Sequence, residues 1–131
     1  MKKGFTVPEL LTVIGILALL LTIAVPSIIS IQNKIQSNMY CKKIDSIEAA
    51  AVLYGQSIVN DLSDASSPHM VSVLQLVEKN YLTKDKTDAP YILDPRNKSD
   101  ESALDLEVVE VLLKNSRVVA IYKNVDDVCK K

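Results

Sequence analysis

Few side chains in this chain are placed to do chemistry. His69 is the single histidine and stands beside Pro68 in a polar stretch, so neither a His/Cys metal set nor a Ser/His/Asp relay can be built on it. The glycines Gly4, Gly15 and Gly55 are too scattered to cradle a phosphate. Asp85, Asp88 and Asp94 bring three carboxylates into one segment, a composition that suits Ca2+, but without the regular ligand spacing of a calcium loop. A hydrated loop is the simpler reading of them. The expectation is a protein with no catalytic residue, no metal and no cofactor.

Three features remain: Glu9, Pro26, and the cysteine pair Cys41 and Cys129. Glu9 opens an apolar run, and between it and Lys34 lie 24 residues without a formal charge. A helix of that length covers about 36 Å, enough to cross a bilayer. The run is too long for the apolar part of a cleavable secretory signal and lacks a small-x-small cleavage site after it. Lys2 and Lys3 would hold the N-terminus in the cytoplasm by the positive-inside rule. A plain anchor explains the length but not Glu9, because a carboxylate entering hydrocarbon costs a few kcal/mol unless it is paired (about 2.5–3.5 on insertion scales). Nor does it explain Pro26, which removes a backbone hydrogen bond and implies a kink or local melting.

These residues carry a resemblance. The stretch Lys2-Lys3-Gly4-Phe5-Thr6-Val7-Pro8-Glu9-Leu10-Leu11 resembles the N-terminus of type IV pilins and pseudopilins: a short basic leader, a Gly-Phe bond cut by a prepilin peptidase, and a glutamate four positions after the new N-terminus. Pro26, 21 residues after Phe5, sits where many members carry a helix-breaking proline. Pro8 departs from the branched aliphatic residue commoner there, but proline in a first helical turn is sterically harmless. The resemblance spans roughly residues 2 to 31 and weakens beyond. It implies that Gly4 and Phe5 are the processing residues, that the Phe5 amine is methylated, and that Phe5, Glu9 and Pro26 serve assembly. The implied partners are copies of the chain and other pilins in a helical filament, the prepilin peptidase and an assembly platform in the membrane. The implied location is the cytoplasmic membrane, head outside, and then an extracellular filament.

Physical reasoning adds a partner for Glu9. Cleavage after Gly4 would remove two lysines, leaving 13 basic against 16 acidic side chains and a cationic amine at Phe5. Opposite charges in an apolar medium must find one another. A head-to-tail contact between identical chains that does not close generates a filament.

The elements that must position these residues follow from periodicity. At 131 residues and 14.4 kDa there is room for one folded domain with an appendage. A mean hydropathy of +0.16, with 24% charged residues, suits one embedded element joined to a water-exposed part. The expected fold is α+β: a long N-terminal helical spine, membrane-embedded in its first half, packed against a small antiparallel sheet. The expected segments are a leader over 1–4, a transmembrane and assembly helix over 5–31, its amphipathic continuation over 32–60 and a small head over 61–131.

Along the spine, Ile31, Ile35, Met39, Cys41, Ile44, Ile47, Ala51 and Tyr54 form the expected inward stripe, ending at Gly55 or in the polar run 60–67. Ser67-Pro68 reads as the start of a short helix carrying Met70, Val73, Leu74 and Val77 on one face and stopping at Asn80. Residues 83–102 read as a loop. Leu104 to Leu113 read as a strand with a change of phase or, alternatively, as a helix, and 114–117 as the turn into a second strand, Val118 to Lys123.

Cys41 on the spine and Cys129 near the end can join if the head is exported to an oxidising compartment. Such a bond would restrict the unfolded chain by roughly 4–5 kcal/mol in the loop-entropy model. The pairing differs from the C-terminal disulfide of many Gram-negative pilins. The net charge of −1 gives no general field for nucleic acid, so any such contact would need a local patch such as Lys79, Lys84 and Lys86. The expected function is a non-catalytic structural subunit of a type IV pilus-like filament. The alternatives are a pseudopilin of a secretion or DNA-uptake system and a membrane-anchored binding protein whose helix only tethers it.

Overall fold

The computed structural model describes residues 4–62, 67–97 and 100–129. It is α+β, with two compact units, residues 1–35 and 36–131. Helix α1, Val7–Ser57, contributes to both. Strand β1 is His69–Ser72, helix α2 Val73–Glu78, strand β2 Val108–Lys114 and strand β3 Arg117–Tyr122. Single 3-10 turns occupy Val59–Asp61, Asp100–Ser102 and Asp127–Cys129.

In the unit 36–131, α1 buries Tyr40, Ile44, Ile47, Ala51 and Gly55, a three-and-four spacing that keeps one face inward. The stripe begins at Tyr40 and not, as the periodicity suggested, at Ile31, Ile35 and Met39, which are all exposed. The sequence holds two overlapping apolar stripes, and only the one containing Tyr40 meets the sheet core. Gly55 does not stop the helix. It lies buried within the last turn, where an added Cβ would fall 2.5 Å from a methyl of Val111 and 2.6 Å from a methyl of Val118.

The sheet is antiparallel in the order β1-β2-β3. Val71 pairs with Val109, and Val109 with Tyr122, so these three share the buried face while Met70, Glu110 and Ile121 share the other. Asn115 and Ser116 both have positive φ, as a two-residue hairpin of the favoured twist requires. The turn therefore lies where expected, with Arg117 already in β3. Of the alternating Leu104, Leu106 and Val108, only Val108 is in a strand, as the first residue of β2. Leu104 is core, Leu106 is 85% exposed, and the segment 104–107 is a turn pinned by the buried Asp105 carboxylate, which accepts the backbone N–H groups of Tyr91 (2.8 Å) and Ile92 (2.7 Å).

The short helix also starts later than Ser67-Pro68 suggests. Residues 69–72 pair with β2 as a strand, and Ser72 is the N-cap, accepting from Gln75 N–H while the Gln75 side chain accepts from Ser72 N–H. This reciprocal capping box outcompetes the proline signal. At its other end Asn80 does terminate α2: its φ is 62°, its N–H reaches Val77 C=O, and Tyr81 N–H reaches Leu76 C=O. That is the left-handed Schellman ending.

Substitution Gly55→Ala tests the close approach of α1 to the sheet. A gain of about 1 kcal/mol in helix propensity opposes an overpacking cost of about 1–3 kcal/mol against two stiff valines. The expected result is a lower melting temperature, and the further loss on adding Gly55→Ala should be smaller in a Val111→Ala background, where one of the crowding side chains is gone.

Candidate functional site

The unit 1–35 presents the apolar segment to its surroundings. Thr6 precedes the helix, and Leu10 N–H to Thr6 C=O at 3.1 Å is its first backbone bond. The Glu9 carboxylate turns back to accept the Thr6 backbone N–H at 3.5 Å. Thr6-Val7-Pro8-Glu9 is thus a T-x-x-E helix start, with Glu9 in the position that satisfies the N-cap amide. That signal was available in the sequence and gives Glu9 a local partner that the charge argument overlooked. Phe5, just outside the helix, is 79% exposed.

From Val7 to Ile35 no side chain is buried, and the helix is long and apolar enough to cross a membrane. Its hydroxyls are satisfied internally. Thr12 donates to Pro8 C=O (2.8 Å), Thr22 to Leu19 C=O (2.7 Å), Ser27 to Ile23 C=O (3.4 Å) and Ser30 to Pro26 C=O (3.3 Å). Self-contained hydroxyls are what hydrocarbon demands, since it offers no other partner. The helix continues through Pro26 without the local melting its lost amide suggested. Proline's fixed φ is itself helical, so Pro26 fits the helix while withholding one backbone donor and crowding the preceding turn. Of the residues expected to serve assembly, Glu9 contacts the Thr6 amide next to Phe5, whereas Pro26 stands further along the segment.

In the unit 36–131, Cys41 and Cys129 are disulfide-bonded, with Cα atoms 5.3 Å apart. Beside them sits a cluster that the sequence did not announce. Arg96 is held by Asp94 (Nη2 to Oδ2 2.6 Å, Nε to both oxygens 3.1 Å), pairs through Nη1 with Asp126, and stacks on Tyr40 with its guanidinium carbon 3.5 Å from the ring centroid. The visible signal was Asp94-Pro95-Arg96, an aspartate whose side chain accepts an N–H two residues on, here at 2.8 Å. Nothing local indicated Asp126 or Tyr40. Burial and the nearby Asp126 charge raise the Tyr40 hydroxyl above its ordinary range. Burial also favours the neutral Asp94 carboxyl, but hydrogen bonds from the Arg96 side chain and backbone outweigh it and hold Asp94 below the usual aspartate value.

Acidic and basic side chains singled out in the loop regions make contacts within the head. Asp85 binds Lys43 Nζ at 2.5 and 2.6 Å and accepts Leu93 N–H at 3.1 Å, while Asp94 is committed to Arg96. No cluster of three metal-ligating side chains occurs among the described residues. Lys79 lies 5.5 Å from the Tyr54 ring centroid and Lys84 4.3 Å from that of Tyr91. His69 lies on β1 with its ring 6.4 Å from Tyr54. A further contact missing from the sequence reading joins spine to sheet: Glu48 accepts Tyr122 N–H at 3.0 Å.

Comparison of the chain with protein-family models, with curated proteins and with solved structures finds no match. The functional reading therefore draws on the residues and their geometry.

The Asp94 carboxyl titrates lower in the folded than in the unfolded chain, so its contribution is present above the ordinary aspartate value of about 4 and is lost as pH falls through the folded value. Melting temperatures measured from pH 6 downward should fall less steeply below about pH 4 for Asp94→Asn than for wild type, with Asp94→Asn already the less stable at pH 6.

Proposed function

We propose that the chain is a structural subunit of a type IV pilus-like filament, cut between Gly4 and Phe5 and assembled through α1. The observation that carries the reading is the conjunction of Gly4-Phe5 and Glu9 with an apolar helical segment, residues 7–35, whose side chains are exposed and whose hydroxyls donate to the helix's own carbonyls. Such a surface needs lipid before assembly and neighbouring helices after it.

Cleavage would create an ammonium at Phe5, one residue before the amide that Glu9 already contacts. Glu9 can then pair with its own chain's amine or with that of the adjoining subunit. Pairing between subunits selects register, because a slip of one turn leaves two buried ions unmatched. The head supplies the outer surface. Lys2 and Lys3 keep the leader on the cytoplasmic side, so the disulfide-bearing head lies on the oxidising side.

Mass spectrometry of the mature chain tests this directly. The expected N-terminus is a methylated Phe5, and Gly4→Leu should leave the leader attached. A mature chain beginning at Met1 or Lys2 would reduce α1 to a tether and favour a membrane-anchored binding protein.

A further inference from the structure

Cys41 and Cys129 are 88 residues apart, so in the dithiol form no short covalent path keeps them together. Noncovalent contacts converge at the same place. Asp126 pairs with Arg96 through its side chain and accepts Cys129 N–H (2.9 Å) through its carbonyl, so carboxylate and sulfur ride on one turn. On the helix side, Arg96 stacks on Tyr40, the residue preceding Cys41. Asp94 fixes the guanidinium from a third direction.

We propose that Arg96 is the template for this disulfide: it docks the Asp126–Cys129 turn onto the Tyr40–Cys41 turn of α1 before the bond exists and keeps it docked when the bond is reduced. The chemistry is thiol–disulfide exchange. One cysteine thiolate attacks a disulfide oxidant such as oxidised glutathione, forming a mixed disulfide and expelling one glutathione thiolate. The second cysteine thiolate then displaces the other glutathione. The protein dithiol is oxidised, the oxidant is reduced to two thiols, and the two cysteine protons pass through solvent to the departing thiolates. Arg96 acts on the second, intramolecular step, whose equilibrium scales with the effective concentration of one sulfur at the other. Cys41 and Cys129 are half-buried and line an open groove together with Glu48, Tyr122 and Val125. The inference is independent of filament assembly.

The test equilibrates the full chain in detergent micelles with reduced and oxidised glutathione at neutral pH, then traps free thiols by alkylation and measures the oxidised fraction by mass. Arg96→Met, which loses both the ion pairs and the stack, should lower the equilibrium constant about tenfold, and Asp126→Asn about threefold. Arg96→Lys should fall between wild type and Arg96→Met, because a lysine keeps the charge but not the planar fork. Lys43→Met removes an ion pair made elsewhere on α1, with Asp85, and should leave the constant unchanged. The Asp126 side chain is half exposed, so Asp126→Asn leaves the core intact and remains informative if Arg96→Met fails to fold. Unchanged equilibria in both Arg96→Met and Asp126→Asn would overturn the template, as would an equal fall in Lys43→Met.

Discussion

The first half of α1 is an apolar surface with no protein over it, and the rest of the molecule is organised around that fact. Leu, Ile and Val side chains cover the segment between Glu9 and Lys34, each at least 45% exposed. At about 25 cal/mol per Å2, surface of this extent is driven out of water by far more than a small head could offset. The segment is long and apolar enough to cross a membrane, and a surface of this kind suits lipid or other helices better than water. The internal bonding of Thr12, Thr22, Ser27 and Ser30 is consistent with the same medium.

The second half of the helix serves an opposite purpose. A head of this size has too little interior to close a core alone, and the Tyr40-to-Gly55 face of α1 supplies the missing wall. The wall is secured in three ways: Gly55 allows the sheet to approach, Glu48 satisfies an outward amide of β3, and the disulfide fastens the C-terminal turn. Cutting the helix away would therefore remove part of the head's own interior, not only its anchor. The Arg96 cluster adds a polar counterpart to the disulfide at the same end of the core.

Much of this was legible locally. The α+β class, the 114–117 turn, the Asn80 stop and the cysteine pair followed from residue patterns because each depends on neighbours in sequence or on a pairing of only two candidates. The errors have physical causes. Ser67-Pro68 carries the signal of a helix start, but the Ser72-Gln75 box places the start beyond a strand that only its pairing with β2 reveals. Alternation at 104–107 resembles the start of β2 because the buried Asp105 breaks the usual sense of a polar residue facing out. The inward stripe of α1 runs through Ile44, Ile47 and Ala51 as the periodicity predicts, but it begins at Tyr40 and not at Ile31, Ile35 and Met39, because an adjacent apolar stripe competes there. Arg96, Asp126 and Tyr40 come together only in the fold.

Glu9 is where the local and the assembly explanations part. As an N-cap partner it needs an acceptor, which glutamine supplies equally; as the partner of a buried amine it needs a charge, which glutamine lacks. The decisive measurement co-expresses wild-type and Glu9→Gln chains, shears and purifies the fibres, and compares the ratio of the two chains in fibres with that in the membrane by mass spectrometry. The account predicts that Glu9→Gln is inserted and cleaved normally but depleted at least about tenfold from fibres, the equivalent of roughly 1.4 kcal/mol of lost pairing. Equal ratios in membrane and fibre would contradict it and leave Glu9 as a helix cap.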